Sequence, residues 1–135
     1  MPTYRSFDLP RGREVPEVFE GRWLDGTPAS IALSEPTLVV AVKTMCDGCR
    51  LFVESDLIEF SGLGIMIVSA TEDSRGEWSS SRHPILVAPR VLEQLDIRWP
   101  PFYVLIDPTS RRVLTEGVVF APEQVASEIS SHLGT

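Results

Sequence analysis

Cys46 and Cys49 are the only cysteines in this 135-residue chain, and two residues, Asp47-Gly48, separate them. Thiols at that spacing have three uses: they exchange disulfides through a thiolate, they supply half of a metal site, or they merely pack. Their setting bears on the choice. The pair follows the most strand-like run of the chain, Thr37 to Val42, and precedes an apolar-periodic stretch from Leu51 to Phe60. A strand-to-helix junction puts Cys46 at a helix N-terminus, where unpaired backbone N–H groups and the macrodipole favour a thiolate. Cys49 then lies one turn in, within reach of the first sulfur. A zinc site needs about four ligands, and the two histidines, His83 and His132, lack the spacing to complete one. His132 reads instead as a cation suited to the last turn of a helix. No metal or organic cofactor is expected.

Several function classes are disfavoured by composition. A net charge of −7 argues against nucleic acid as a partner, since phosphate binding needs a basic surface. Of twelve basic residues, eleven are arginine and only Lys43 is lysine. Hydrophobic content of 43% and charged content of 23% fit an ordinary globular domain large enough to bury a core. Two cysteines are too few for a secreted disulfide scaffold. The first residues, Met1 to Asp8, are polar and lack the apolar region of a signal peptide, and no run approaches a membrane span. As written, the chain is expected in the cytoplasm, or outside it if a signal segment was removed, and as a monomer.

The elements that must position the cysteines follow from pattern. Residues 1–17 read as an irregular lead-in, with Pro2, Pro10 and Pro16, ahead of one domain at 18–135. Val18–Leu24 and Ala29–Leu33 read as a hairpin about Asp25-Gly26. Thr37–Lys43 and Ile65–Val68 lack polar alternation, as strands buried on both faces do. Between them Phe52, Val53, Leu57 and Phe60 have helical spacing, giving a strand–helix–strand unit with a right-handed crossover. The polar stretch 71–84 predicts at most a partial helix over 74–82. Ile85-Leu86-Val87 reads as a short extended piece. Pro89 opens a helix with Val91, Leu92 and Leu95 inward. Phe102–Ile106 and Arg112–Val119 form a second hairpin, and Pro122 opens a last helix with Val125, Ala126, Ile129 and Leu133 on one face.

Strand, CxxC, helix, strand, helix, Pro-Pro, hairpin and terminal helix is the element order of the thioredoxin-like superfamily, which the chain resembles across about residues 18–133. Within it the chain is similar to the TlpA/ResA/MauD type. The residues that carry this are the hairpin Arg22-Trp23-Leu24-Asp25-Gly26 with Ile31-Ala32-Leu33, the long stretch before Pro101, and Pro101-Phe102-Tyr103-Val104-Leu105-Ile106-Asp107. The resemblance implies an α/β fold with a central mixed sheet flanked by helices and an N-terminal β-hairpin extension. It implies a thiol–disulfide oxidoreductase in which Cys46 attacks and Cys49 resolves. The partners would be a protein disulfide or dithiol and an upstream thiol reductant. Pro101 takes the place of the family's cis-proline facing the disulfide. The alternatives are a non-catalytic binding module of the same fold, since folds host many functions, and a peroxiredoxin-like peroxidase. The last is disfavoured: the Pro-x-x-x-Thr-x-x-Cys of peroxiredoxins would place its threonine at Lys43 and its proline at Val39.

Departures from the thioredoxin pattern mark the site. Met45 stands where tryptophan precedes the first cysteine, and Asp47-Gly48 replaces Gly-Pro. Val40 fills the place of the buried acid, and Glu54 that of the kinking proline. Pro100 lacks the backbone N–H that pairs with a bound substrate strand. Met45, Trp99, Pro100, Pro101 and Phe102 are the candidate substrate-binding residues, with Asp47 and Gly48 tuning the redox couple. The Asp47 carboxylate opposes a thiolate at Cys46, so the expected potential lies nearer thioredoxin's roughly −270 mV than the roughly −120 mV of DsbA. Lys43 and Glu54 read as solvated surface charges. Trp23 and Trp78 read as structural or surface aromatics.

Overall fold

The computed structural model describes residues 14–72 and 76–133. Among the described residues seven strands form one mixed sheet: β1 (Val18–Trp23), β2 (Pro28–Ala32), β3 (Thr37–Val42), β4 (Gly64–Ser69), β5 (Ile85–Val87), β6 (Phe102–Asp107) and β7 (Arg112–Val118). Their order across the sheet is β2-β1-β5-β4-β3-β6-β7. β3 runs parallel to β4, and β4 to β5, while β6 lies antiparallel to β3 and β7 antiparallel to β6. This is a thioredoxin-like fold with an N-terminal hairpin extension. The short piece at Ile85–Val87 is the strand that joins the extension to the sheet, pairing with β1 on one side and β4 on the other.

β3 is buried at all six positions, which explains its unbroken apolar run. Its side chains alternate between two cores, as the two-residue period of a strand requires. Leu38, Val40 and Val42 join Cys49, Phe52, Val53, Trp78, Tyr103, Leu105, Val125 and Ile129 on one face. Val39 and Ala41 join Phe19, Val68, Val91, Leu92, Leu95, Val104 and Ile106 on the other. The first face is covered by α1 (Asp47–Glu54) and α3 (Pro122–Ile129), the second by α2 (Pro89–Gln94). Val15, at the end of the lead-in, is buried in the second core, and Glu14 bridges to Arg112. The earlier part of the lead-in, residues 1–13, lies outside the described residues.

Two sequence expectations differ from the structure. The helix expected through Phe60 ends at Glu54, and a single 3₁₀ turn, Ile58–Phe60, follows it. Local side chains compete with the helix there. Ser55 Oγ accepts the Leu57 N–H at 3.2 Å and Asp56 Oδ1 accepts the Ile58 N–H at 3.1 Å. Leu57 turns into the left-handed region, φ 55°, yet Leu57 and Phe60 still reach the core, and the Phe60 ring stacks on Phe52 at 5.8 Å. The second difference lies in the stretch expected to hold a partial helix over 74–82. Residues 76–82 are successive turns, and residues 74 and 75 lie outside the described residues.

The hairpin at Asp25-Gly26 closes as its residues suggest. Gly26 takes φ 91°, open to glycine without steric cost. Asp25 Oδ1 accepts both the N–H and the Oγ–H of Thr27, at 2.9 and 2.7 Å. Those bonds hold the Asp25 carboxyl below its ordinary value.

Candidate active site

Cys46 is the N-cap of α1. Its backbone is extended, φ −136° and ψ 112°, and its Sγ accepts the Cys49 N–H at 3.2 Å. A cysteine sulfur here does the work of the serine or aspartate oxygen usual at an N-cap. Its carbonyl accepts the Arg50 N–H at 3.1 Å, the first bond of the helix. Cys46 is partly exposed, Cys49 is fully buried, and both are free thiols. The two sulfurs therefore sit close together in unlike surroundings. Burial pushes the Cys49 thiol up from its ordinary 9.0 to about 12, and its hydrogen bond with Cys46 adds to this; the Lys43 N–H, which donates to Cys49 Sγ at 3.4 Å, acts in the opposite direction. The side chain of Lys43 is exposed and does not enter the core. Val40 is wholly buried in the same core as Cys49. Among the described residues the buried polar side chains are Thr37, Ser69 and Thr115, so no buried acid serves Cys49. Glu54 is partly exposed and pairs with Arg50 at 3.5 Å.

The flanking residues divide. Met45 is 81% exposed and lies in the left-handed region, φ 58°. Asp47 is exposed in the first helical turn, where a negative charge suits the dipole. Gly48 lies against the loop from β7 to α3: a Cβ on it would come 3.7 Å from the Phe120 carbonyl and 3.8 Å from that of Val119. The Pro100–Pro101 peptide bond is cis, and the Pro101 carbonyl accepts the Val119 N–H at 3.2 Å. One loop thus touches both the residue between the cysteines and the strand led by Pro101.

Trp99 and Phe102 lie together. They line a shallow cleft of about 420 Å³ with Asp96 and Arg98. Phe102 packs on the core of the α2 face, whereas Cys46 packs on the α1 face. The parity of β6 requires this, because Tyr103 and Leu105 point to the α1 face and Phe102 and Val104 to the other.

Two residues near the cysteines carry no obvious signal in the sequence. Phe120 is 70% exposed on the loop over Gly48. Gln124 braces that loop: its Oε1 accepts the N–H groups of Phe120 and Ala121 at 2.7 and 3.2 Å, and its Nε2 donates to Val118 O and Glu128 Oε2. Glu128 in turn accepts the buried Tyr103 hydroxyl at 2.7 Å. A large apolar residue outside the helical period, before Ala121-Pro122, is the one trace of this in the sequence. The second residue is Glu77, whose Oε2 accepts the Met45 backbone N–H at 2.7 Å from 32 positions away.

A separate cavity of about 270 Å³, lined among others by Ile31, Leu33, Thr37, Ile65 and His83, opens near the N-terminal ends of β3 and β4 and contains neither cysteine. His83 and His132 join no cluster of three or more metal-ligating side chains among the described residues. Among the described residues no helix is long and apolar enough to cross a membrane.

No protein-family profile and no curated protein matches the sequence. Solved structures do match the fold. The thioredoxin domain of a thiol-disulfide oxidoreductase from Bacteroides vulgatus superposes with a TM-score of 0.66 at 19% identity, over 92% of this chain and 98% of that one. A thiol:disulfide interchange protein from Bacteroides sp. gives 0.64 at 19% identity, over 93% and 91%. StoA from Bacillus subtilis gives 0.63 at 16% identity, over 84% and 97%. At these identities the likeness is one of fold.

Proposed function

We propose that the chain is a thiol–disulfide oxidoreductase of the TlpA/ResA/MauD type, acting on a disulfide or dithiol in a protein partner. The observation that carries this reading is the inequality of the two sulfurs. Cys46 is within reach of a partner and its sulfur already accepts a helix N–H, while Cys49 is buried with its thiol pushed up to about 12. In the reducing direction the Cys46 thiolate attacks one sulfur of the partner disulfide. A Cys46–partner bond forms, the partner S–S bond breaks, and the other partner sulfur leaves as a thiolate. Cys49 then gives up its proton to the partner thiolate freed in the first step and attacks Cys46 Sγ, forming the intramolecular disulfide, breaking the Cys46–partner bond and releasing the second partner sulfur as a thiolate. The Lys43 N–H at Cys49 Sγ supports the anion in that step. An upstream dithiol restores the pair by the same chemistry in reverse order.

Met45 and Phe120 offer apolar contact next to the cysteine motif, and Pro101 is bonded to the loop that carries Phe120. Pro100 has no N–H to give a partner strand, so docking leans on those side chains more than on strand addition. Trp99, 78% exposed, would extend the contact on the Phe102 side. Trapping tests the reading. The Cys49→Ser variant, incubated with an oxidised protein substrate, should accumulate a mixed disulfide through Cys46 that disappears in Cys46→Ser. Absence of any adduct would favour a non-catalytic binding module.

A further inference from the structure

Residues 76–84, ahead of β5, form a strap along α1. Trp78 is 3% exposed and buried in the core that holds Cys49, Phe52 and Val53. From that anchor the strap reaches both ends of the helix. At the carboxyl end, Val53 O accepts the Arg82 N–H at 2.8 Å and Ser81 Oγ–H at 3.4 Å, and Ser55 O accepts His83 Nε2–H at 2.8 Å. At the amino end, Glu77, next to the anchor, holds the Met45 N–H at 2.7 Å. Met45 occupies a backbone region that costs a non-glycine residue free energy unless its surroundings fix it. Its own side chain is 81% exposed and supplies little of that fixing. A hydrogen bond to an ionised acceptor is among the stronger ones a surface loop makes.

We propose that Glu77 is a positioning residue for the nucleophile. It acts through the backbone of Met45, holding the residue before the N-cap so that Cys46 Sγ stays on the Cys49 N–H. The inference rests on the proposed role of Cys46 and adds to it a control point outside the cysteine motif. Without the carboxylate, Met45 relaxes out of the left-handed region and Cys46 leaves its cap geometry. The sulfur then loses its hydrogen bond from the Cys49 N–H and its fixed position at the helix start.

The test is the rate at which the reduced full chain is alkylated at Cys46 by iodoacetamide, the site identified by peptide mass. Glu77→Gln keeps an oxygen acceptor and should stay within about two-fold of the native rate, whereas Glu77→Ala should be about ten-fold slower, the equivalent of one hydrogen bond lost. Adding Met45→Gly to Glu77→Ala should recover most of the loss, because glycine takes positive φ freely. His83→Ala, at the far end of the helix, should leave the rate unchanged. Melting curves check that each variant is folded. Equal rates for Glu77→Ala and native protein would overturn the proposal, and so would equal shifts in Glu77→Gln and Glu77→Ala, which would mean charge rather than position. If Cys46 alkylates as expected but never forms a mixed disulfide with a protein substrate, the proposed function fails and the role of Glu77 stands.

Discussion

At its carboxyl end, α1 is tied to the strap. Three donors from the strap satisfy the carbonyls of Val53 and Ser55, groups that every helix leaves without an intrahelical partner. At its amino end the same helix is left open. Cys46 caps it with a sulfur, Met45 stands exposed in a strained conformation, and one carboxylate from the strap holds the junction. One end is built for stability and the other for access, and Trp78 ties the two together. Strain is thus tolerated beside the proposed nucleophile, on a helix whose opposite end is tied to the strap.

Removing the common anchor should break both ends at once. Trp78→Ala is expected to cost about 3–5 kcal/mol in denaturant unfolding, the range for truncating a buried aromatic. It should also loosen the Met45–Cys46 junction, seen as faster amide exchange there. A loss below about 1 kcal/mol would mean that the tryptophan is surface packing and the two ends are independent.

A smaller, pH-dependent effect sharpens the contrast between the two sulfurs. Below pH 9 the folded and unfolded reduced chains both keep the Cys49 proton, so the group's contribution to stability is constant. Above its ordinary 9.0 the unfolded chain releases that proton, while the folded chain holds it up to about 12. Stability of the reduced protein should therefore fall as pH rises from about 9 to 12. Tyr103, raised by burial and by the Glu128 carboxylate, adds a decline of the same sign beginning from its ordinary 10.0. Cys49→Ser should remove the earlier part of the decline and leave the tyrosine part. An unchanged curve in Cys49→Ser would mean that Cys49 is not shielded from water.

The fold was legible because its core strands announce themselves. The apolar runs at β3, β4 and β6, the CxxC between a strand and a helical period, and the proline-led strand at Phe102 all lie where the pattern puts them. The hairpin at Asp25-Gly26 was readable from turn chemistry alone. The site was legible less far. Strand parity puts Phe102 on the opposite core from its neighbour Tyr103, and the unbroken apolar run of β6 does not say which face is which. The break after Glu54 comes from Ser55 and Asp56 capturing nearby N–H groups, which helical periodicity does not register. Glu77 and Phe120 reach the site only through tertiary folding. One comes through a strap with no repeating pattern, the other through a loop pinned by Gln124.

The proposed function requires that Cys46 and Cys49 form one exchange couple. The most direct measurement equilibrates the protein in glutathione buffers of graded potential and reads the thiol state by intact mass. A single two-electron transition to a Cys46–Cys49 disulfide is expected, seen as the loss of two hydrogens, with a midpoint more negative than about −150 mV. A stable glutathione adduct on Cys46, or no intramolecular disulfide at any potential, would contradict it.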